Sequence, residues 1–125
     1  MARSDDSWDE PTTTVQNVPL PKPVRRITKP FILEQISGTG APRKWVLDRD
    51  ETLVGRSHQA NISVDDEGVS RQHIAIRRAG PEYQFVDLNS ANGVYLNGVK
   101  THAAILREGD SLQLGRAVFV FHEGG

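Results

Sequence analysis

Val94-Tyr95-Leu96-Asn97-Gly98-Val99-Lys100 reads as two short extended runs closed on each other by an Asn-Gly pair. A type I′ turn holds both central residues at positive φ, and Asn followed by Gly adopts that conformation at least cost. The spacing therefore predicts a tight hairpin. Outward from it, in both directions, runs of β-branched and aromatic residues alternate with turn residues every several positions. Candidate strands are 31–36, 44–48, 52–55, 62–64, 73–78, 83–88, 94–96, 112–115 and 117–122. None carries a 3.6-residue apolar period over a helix's length. Strands this short must each bury one face, and two packed sheets do so economically. The fold class is all-β, a two-sheet antiparallel β-sandwich.

Composition divides the chain near residue 30. Five of the seven prolines (Pro11, Pro19, Pro21, Pro23, Pro30) fall at or before it, and all eleven glycines fall after it. Proline lacks a donor and fixes φ, so Pro19 to Pro23 is expected to be extended and polyproline-like. Residues 1–29 are expected to form a flexible Pro-rich tail, and 30–125 a single domain. The apolar runs, such as Val118-Phe119-Val120-Phe121, fall far short of the about 20 residues a membrane-spanning helix needs. The acidic start, Met1-Ala2-Arg3-Ser4-Asp5-Asp6, is unlike a secretory signal, so the expected compartment is the cytoplasm. No cysteine is present, which removes disulfides, thiolate metal sites and cysteine nucleophiles. With 15 basic against 16 acidic residues there is no broad cationic field, and a nucleic-acid partner is not expected. Any anion site must be small and local.

Three polar clusters stand apart from core and turn needs: Gly55-Arg56-Ser57, Val69-Ser70-Arg71-Gln72-His73 and Asn89-Ser90-Ala91-Asn92-Gly93. A Gly-Arg at a strand end, a Ser-x-x-His about fifteen residues on and an Asn-Gly about twenty further make this chain resemble the forkhead-associated (FHA) domain over residues 31–122. The resemblance implies an eleven-stranded sandwich that reads phosphothreonine in a partner through loops at one end. It also implies that Arg56 contacts the phosphate, Ser70 donates its hydroxyl to it, Arg71 adds a further polar contact and Asn92 holds the ligand backbone. Gly55, His73 and Gly93 then support those loops. Where the family pattern has a threonine before this asparagine stands Ala91, one hydroxyl fewer, while Arg71 adds a positive charge. The physics agrees: a phosphothreonine brings about −1.5 to −2 charge and three acceptors, and a guanidinium beside a neutral donor suits it.

An enzyme is not expected. No Gly-rich nucleotide loop, metal quartet or set of nucleophile, base and orienter can be assembled, and neither cofactor nor metal is implied. His73 near Ser70 reads as a loop brace, since no third orienting partner is evident. Asp65-Asp66-Glu67 reads as a solvated acidic loop, because consecutive carboxylates point different ways. Asn97 reads as a hairpin residue. In the tail, Asp9-Glu10-Pro11-Thr12-Thr13-Thr14-Val15 resembles the acidic, threonine-doublet tail of small actinobacterial FHA regulators. That resemblance implies a Ser/Thr protein kinase as a partner and Thr13, Thr12 and Thr14 as phosphorylation sites that the domain then binds. A monomer is expected, with a dimer through the tail at high concentration. The competing function is a β-sandwich interaction or scaffold domain that binds without regard to phosphorylation.

Overall fold

The computed structural model describes residues 29–125, so all of the expected tail but its last residue, with the threonines Thr12, Thr13 and Thr14, lies outside the described residues. Eleven strands follow in chain order: β1 (Phe31–Ser37), β2 (Arg43–Leu47), β3 (Glu51–Gly55), β4 (Ile62–Ser63), β5 (Ile74–Ala79), β6 (Glu82–Asp87), β7 (Tyr95–Leu96), β8 (Val99–Lys100), β9 (Ala103–Ile105), β10 (Ser111–Leu114) and β11 (Ala117–His122). They form a six-stranded sheet ordered β2-β1-β11-β10-β7-β8 and a five-stranded sheet ordered β4-β3-β5-β6-β9. This is the all-β sandwich that the strand pattern predicts.

Alternation along the strands builds the core. In β11, Ala117, Phe119 and Phe121 are buried while the residues between them are half-buried, as the period of two in a pleated strand requires. Leu33 and Gln35 of β1 pair with Phe121 and Phe119. From the other sheet come Val54, Ile74, Ile76, Tyr83 and Phe85, all buried. Each such apolar side chain contributes roughly 1.5–3 kcal/mol on burial. Two polar links join the layers: the Tyr83 hydroxyl donates to the Leu47 carbonyl at 2.9 Å, and Arg43 Nη2 donates to the Ser63 carbonyl at 3.2 Å. Arg43 also donates to Oε1 of buried Gln35 at 3.1 and 2.8 Å. Gln35 Nε2 donates to the Thr39 carbonyl at 2.9 Å, so the buried amide is satisfied.

The hairpin at the heart of the sequence forms with Asn97 at φ 51° and Gly98 at φ 85°, closing Leu96 against Val99. Its tip is tied to β10, because Ser111 N donates to Asn97 Oδ1 at 2.9 Å. One strand escaped the sequence pattern: β9, whose Ala103 and Ala104 carry little β preference and are ordered by pairing with Val86 and Phe85. Among the described residues one pairing is parallel, Val54 with Ile62 and Gly55 with Ser63. The chain leaves β3 through 56–61 and returns beside it, with Leu53 N donating to Asn61 Oδ1 at 2.8 Å. No helix among the described residues is long and apolar enough to cross a membrane.

At β11's far end, His122 is set between two carboxylates, with Nε2 2.9 Å from Glu34 and Nδ1 3.2 Å from Glu108. The Glu34 hydrogen bond, followed by that of Glu108, raises its pKa above the ordinary 6.5. A raised folded-state value stabilises the fold below the unfolded-state pKa, and that contribution disappears as pH rises through the folded-state value. The gap in urea midpoint between wild type and His122→Gln should therefore be widest below about pH 6.5 and close as pH rises. A gap independent of pH would show that the imidazole acts through packing alone.

Candidate functional site

Three loops converge at one end of the sandwich, and their convergence begins with a missing side chain. A Cβ on Gly55 would lie 2.1 Å from the Arg71 carbonyl oxygen, so only glycine lets the 70–72 turn cross the end of β3. The crossing is fastened by Arg56 N donating to the Ser70 carbonyl at 2.9 Å and Ser57 N donating to the Arg71 carbonyl at 3.1 Å. Arg56 is exposed, and its Nε donates to the Val69 carbonyl at 3.1 Å. That bond aims the guanidinium, and among the described residues its two terminal amino groups have no hydrogen-bond partner. Arg71 is exposed beside it, and a cleft of about 160 Å³ is lined by Arg56, Ser57, His58, Asp65 and Arg71.

His73 lies beneath the loops, fully buried. Ser70 N donates to its Nδ1 at 3.0 Å, which makes Nδ1 an acceptor. Nε2, 2.8 Å from the Gly93 carbonyl, is then the donor. Both ring nitrogens are consumed by main chain, so His73 is a brace between two loops and is not turned toward the Ser70 hydroxyl as a base. Ser70 Oγ accepts from Ala91 N at 3.0 Å. A hydroxyl that accepts in this way keeps its own proton for a further acceptor.

The third loop is shaped by its own polar residues. Ser90 N donates to Asp87 Oδ1 at 2.9 Å, and Gly93 N donates to Ser90 Oγ at 2.9 Å. Gly93 has φ 77°, and a Cβ there would lie 2.6 Å from Lys100 Cε. Asn92 is exposed, and its Nδ2 donates to the Gly68 carbonyl at 3.0 Å, which orients the amide. The structure thus brings Arg56, Ser70, Arg71 and Asn92 to one end, with Gly55, His73 and Gly93 beneath them.

Sequence reasoning missed part of this assembly. The 65–67 loop is not uniformly solvated: Asp66 Oδ1 accepts from Gly68 N at 2.8 Å and its Oδ2 accepts from Arg116 N at 2.9 Å. The Gly68 hydrogen bond leads in holding the Asp66 pKa below its ordinary value, and the Arg116 amide adds to it. The signal was available as Asp66-Glu67-Gly68, an acid two residues before a glycine, which suits an Asx-turn. Asp65 and His58 as cleft residues had no sequence signal, since long-range packing puts them there. Among the described residues no three His, Cys, Asp or Glu are grouped to hold a metal ion.

A family model described as FHA domain matches residues 52–115. The chain is 38% identical over 87 residues to an oxoglutarate dehydrogenase inhibitor of Corynebacterium jeikeium, which covers 70% of this chain and 60% of that protein. It is 39% identical over 87 residues to the glycogen accumulation regulator GarA of Mycolicibacterium smegmatis, covering 70% and 55%. The match thus spans little more than half the length of these curated relatives. A solved structure from a study of phosphothreonine-dependent FHA domain interactions superposes with a TM-score of 0.69 at 30% identity, over 74% of this chain and 95% of that one.

His73→Ala should lower unfolding free energy by about 2 to 4 kcal/mol, because it opens a cavity and leaves Ser70 N and the Gly93 carbonyl unpaired. Chemical denaturation measures it. Gly55→Ala should displace the 70–72 turn, visible as amide shift changes over 54–57 and 70–73; confinement of those changes to residue 55 would contradict the close approach.

Proposed function

The chain belongs to the FHA domain family, and on that premise we propose that residues 30–125 form a non-catalytic module that binds phosphothreonine in a protein or peptide partner. The observation that carries the reading is the state of Ser70 and Arg56 at this end of the sandwich. Ser70 Oγ accepts from the Ala91 amide and Arg56 is aimed through Nε, and among the described residues neither the Ser70 hydroxyl proton nor the Arg56 terminal amino groups have a hydrogen-bond partner. A dianion with three acceptors uses both kinds of donor at once. Arg71 supplies the second guanidinium, and Asn92 offers its amide to the ligand's main chain. Both nitrogens of His73 are occupied by main chain, so His73 does not serve Ser70 as a base.

The tail is the second element of the proposal. Phosphorylated by a Ser/Thr kinase within Thr12–Thr14, with Thr13 as first choice, it occupies the domain's own site and excludes outside ligands. From Thr13 to Phe31 is 18 residues, at most about 60 Å when extended. A domain of this size has a radius of gyration of about 12 Å, so the reach suffices. Tethering supplies an effective concentration on the order of a millimolar, above the dissociation constant of a micromolar site. The same reach allows exchange between two copies at high concentration.

Phosphothreonine peptides should bind with roughly micromolar affinity, the balance of three or four charge-assisted hydrogen bonds against association costs. Their unphosphorylated twins should not bind. Arg56→Ala should abolish binding without unfolding the domain, and Arg56→Lys should restore only part, since an ammonium lacks the bidentate fork. Ser70→Ala and Asn92→Ala should each cost about 1 to 3 kcal/mol in a calorimetric titration. Equal affinity for both peptide forms would instead favour a phosphorylation-blind scaffold. For the tail, a sample phosphorylated within Thr12–Thr14 should bind an outside phosphopeptide far more weakly than a chain beginning at Lys29; equal affinities would exclude self-occupation.

A further inference from the structure

The cleft that presents Arg56 and Arg71 has a carboxylate in its wall. Asp65 lines it alongside them and also lines the adjoining cleft with Thr39, Asp66, Glu67, Gly68 and Arg116. Its neighbour Asp66 is spent on the Gly68 and Arg116 amides. Asp65 is exposed and, among the described residues, its carboxylate takes no hydrogen bond and forms no ion pair. An acid is the wrong charge for an anion site, and nothing in the fold requires it there.

The charge count gives it a role. With His58 counted as neutral, two guanidiniums and one carboxylate leave the cleft at a formal +1, against a phosphothreonine of about −1.5 to −2. Groups sharing one small cleft lie within the about 8 Å screening length of physiological salt, so the imbalance is felt. A ligand that carries its own cation beside the phosphothreonine removes the imbalance by pairing with Asp65. A ligand carrying an acid there makes it worse.

We propose that Asp65 is a specificity-determining residue that selects phosphothreonine ligands with a lysine or arginine near the phosphothreonine and disfavours acidic ones. This rests on the phosphothreonine reading above and adds to it a ranking of ligands. The chain's own tail falls on the disfavoured side. Asp9 and Glu10 precede Thr12 by three and two residues, whereas the nearest cations, Arg3 and Lys22, stand nine residues before Thr12 and eight after Thr14. Asp65 therefore weakens the phosphorylated tail as a ligand relative to a basic phosphopeptide of equal length, by a factor small beside the advantage that tethering gives the tail.

The test uses the full chain, wild type and Asp65→Asn, with a phosphothreonine peptide in an alanine background. Lysine or glutamate is placed singly at each of the four positions on either side of the phosphothreonine, and affinities are read by fluorescence anisotropy. In the wild type at least one position should prefer lysine to glutamate by about two- to fivefold, the range of an exposed ion pair. In Asp65→Asn that preference should vanish, with the glutamate peptide gaining affinity and the thermal midpoint unchanged. Asp65→Ala should behave alike. A lysine preference that survives both variants, or a wild type indifferent at every position, overturns the role of Asp65 while leaving phosphothreonine recognition standing. Failure of every phosphopeptide to outbind its unphosphorylated twin would remove the underlying reading as well.

Discussion

The loop end of this domain depends on one buried imidazole. His73 begins the chain's entry into β5, is fully buried, and spends its two ring nitrogens on the Ser70 amide and the Gly93 carbonyl. These two backbone groups belong to different loops, 20 residues or more apart along the chain. A loop held only by its own turn residues would sample many conformations, and each residue so ordered costs about 1–2 kcal/mol of backbone entropy. The bonds to His73 and the tight crossing over Gly55 settle that cost during folding, before any ligand arrives. Recognition by a preordered surface then loses less affinity to ordering.

The sandwich makes that brace effective. β3, β5 and β6 lie side by side in one sheet, so the loops that follow β3, precede β5 and follow β6 are brought to the same end by strand pairing alone. Val54 faces Ile74 across one pair and Ile74 faces Asp87 across the next. Asp87 in turn accepts from Ser90, which carries the sheet's rigidity into the Asn89–Gly93 loop. The exposed side chains at this end are thus carried on short loops anchored at strand ends, with a packed core behind them. Sites built in this way hold their geometry better than sites on free loops.

Electrostatics at this end is balanced rather than uniformly positive. Arg56 and Arg71 face a cleft that also holds Asp65, and Asp66 is fixed by main-chain donors. With a whole-chain formal charge of −1, long-range attraction for polyanions is absent and discrimination comes from contacts made within the cleft. That arrangement suits a reader of single phosphorylated residues in particular surroundings better than a general anion trap.

Much of this was legible in the sequence because it depends on local rules. Asn97-Gly98 specified its hairpin through the φ values those two residues tolerate, and β11 showed its buried face as Ala117, Phe119 and Phe121 because the pleat has a period of two. Gly55-Arg56, Ser70 to His73 and Asn92-Gly93 stood out as polar clusters without a local purpose. What no local rule contains is distance across the fold. The need for glycine at 55 comes from Arg71 passing overhead; β9 exists because β6 offers it an edge; Asp66 is a brace because Arg116, 50 residues on, lies beside it. Asp65 enters the arginine cleft for the same reason. The residue types were set by the sequence, whereas their juxtaposition was decided by the packing of two sheets, since only burial of both inner faces brings segments so far apart in the chain to one end.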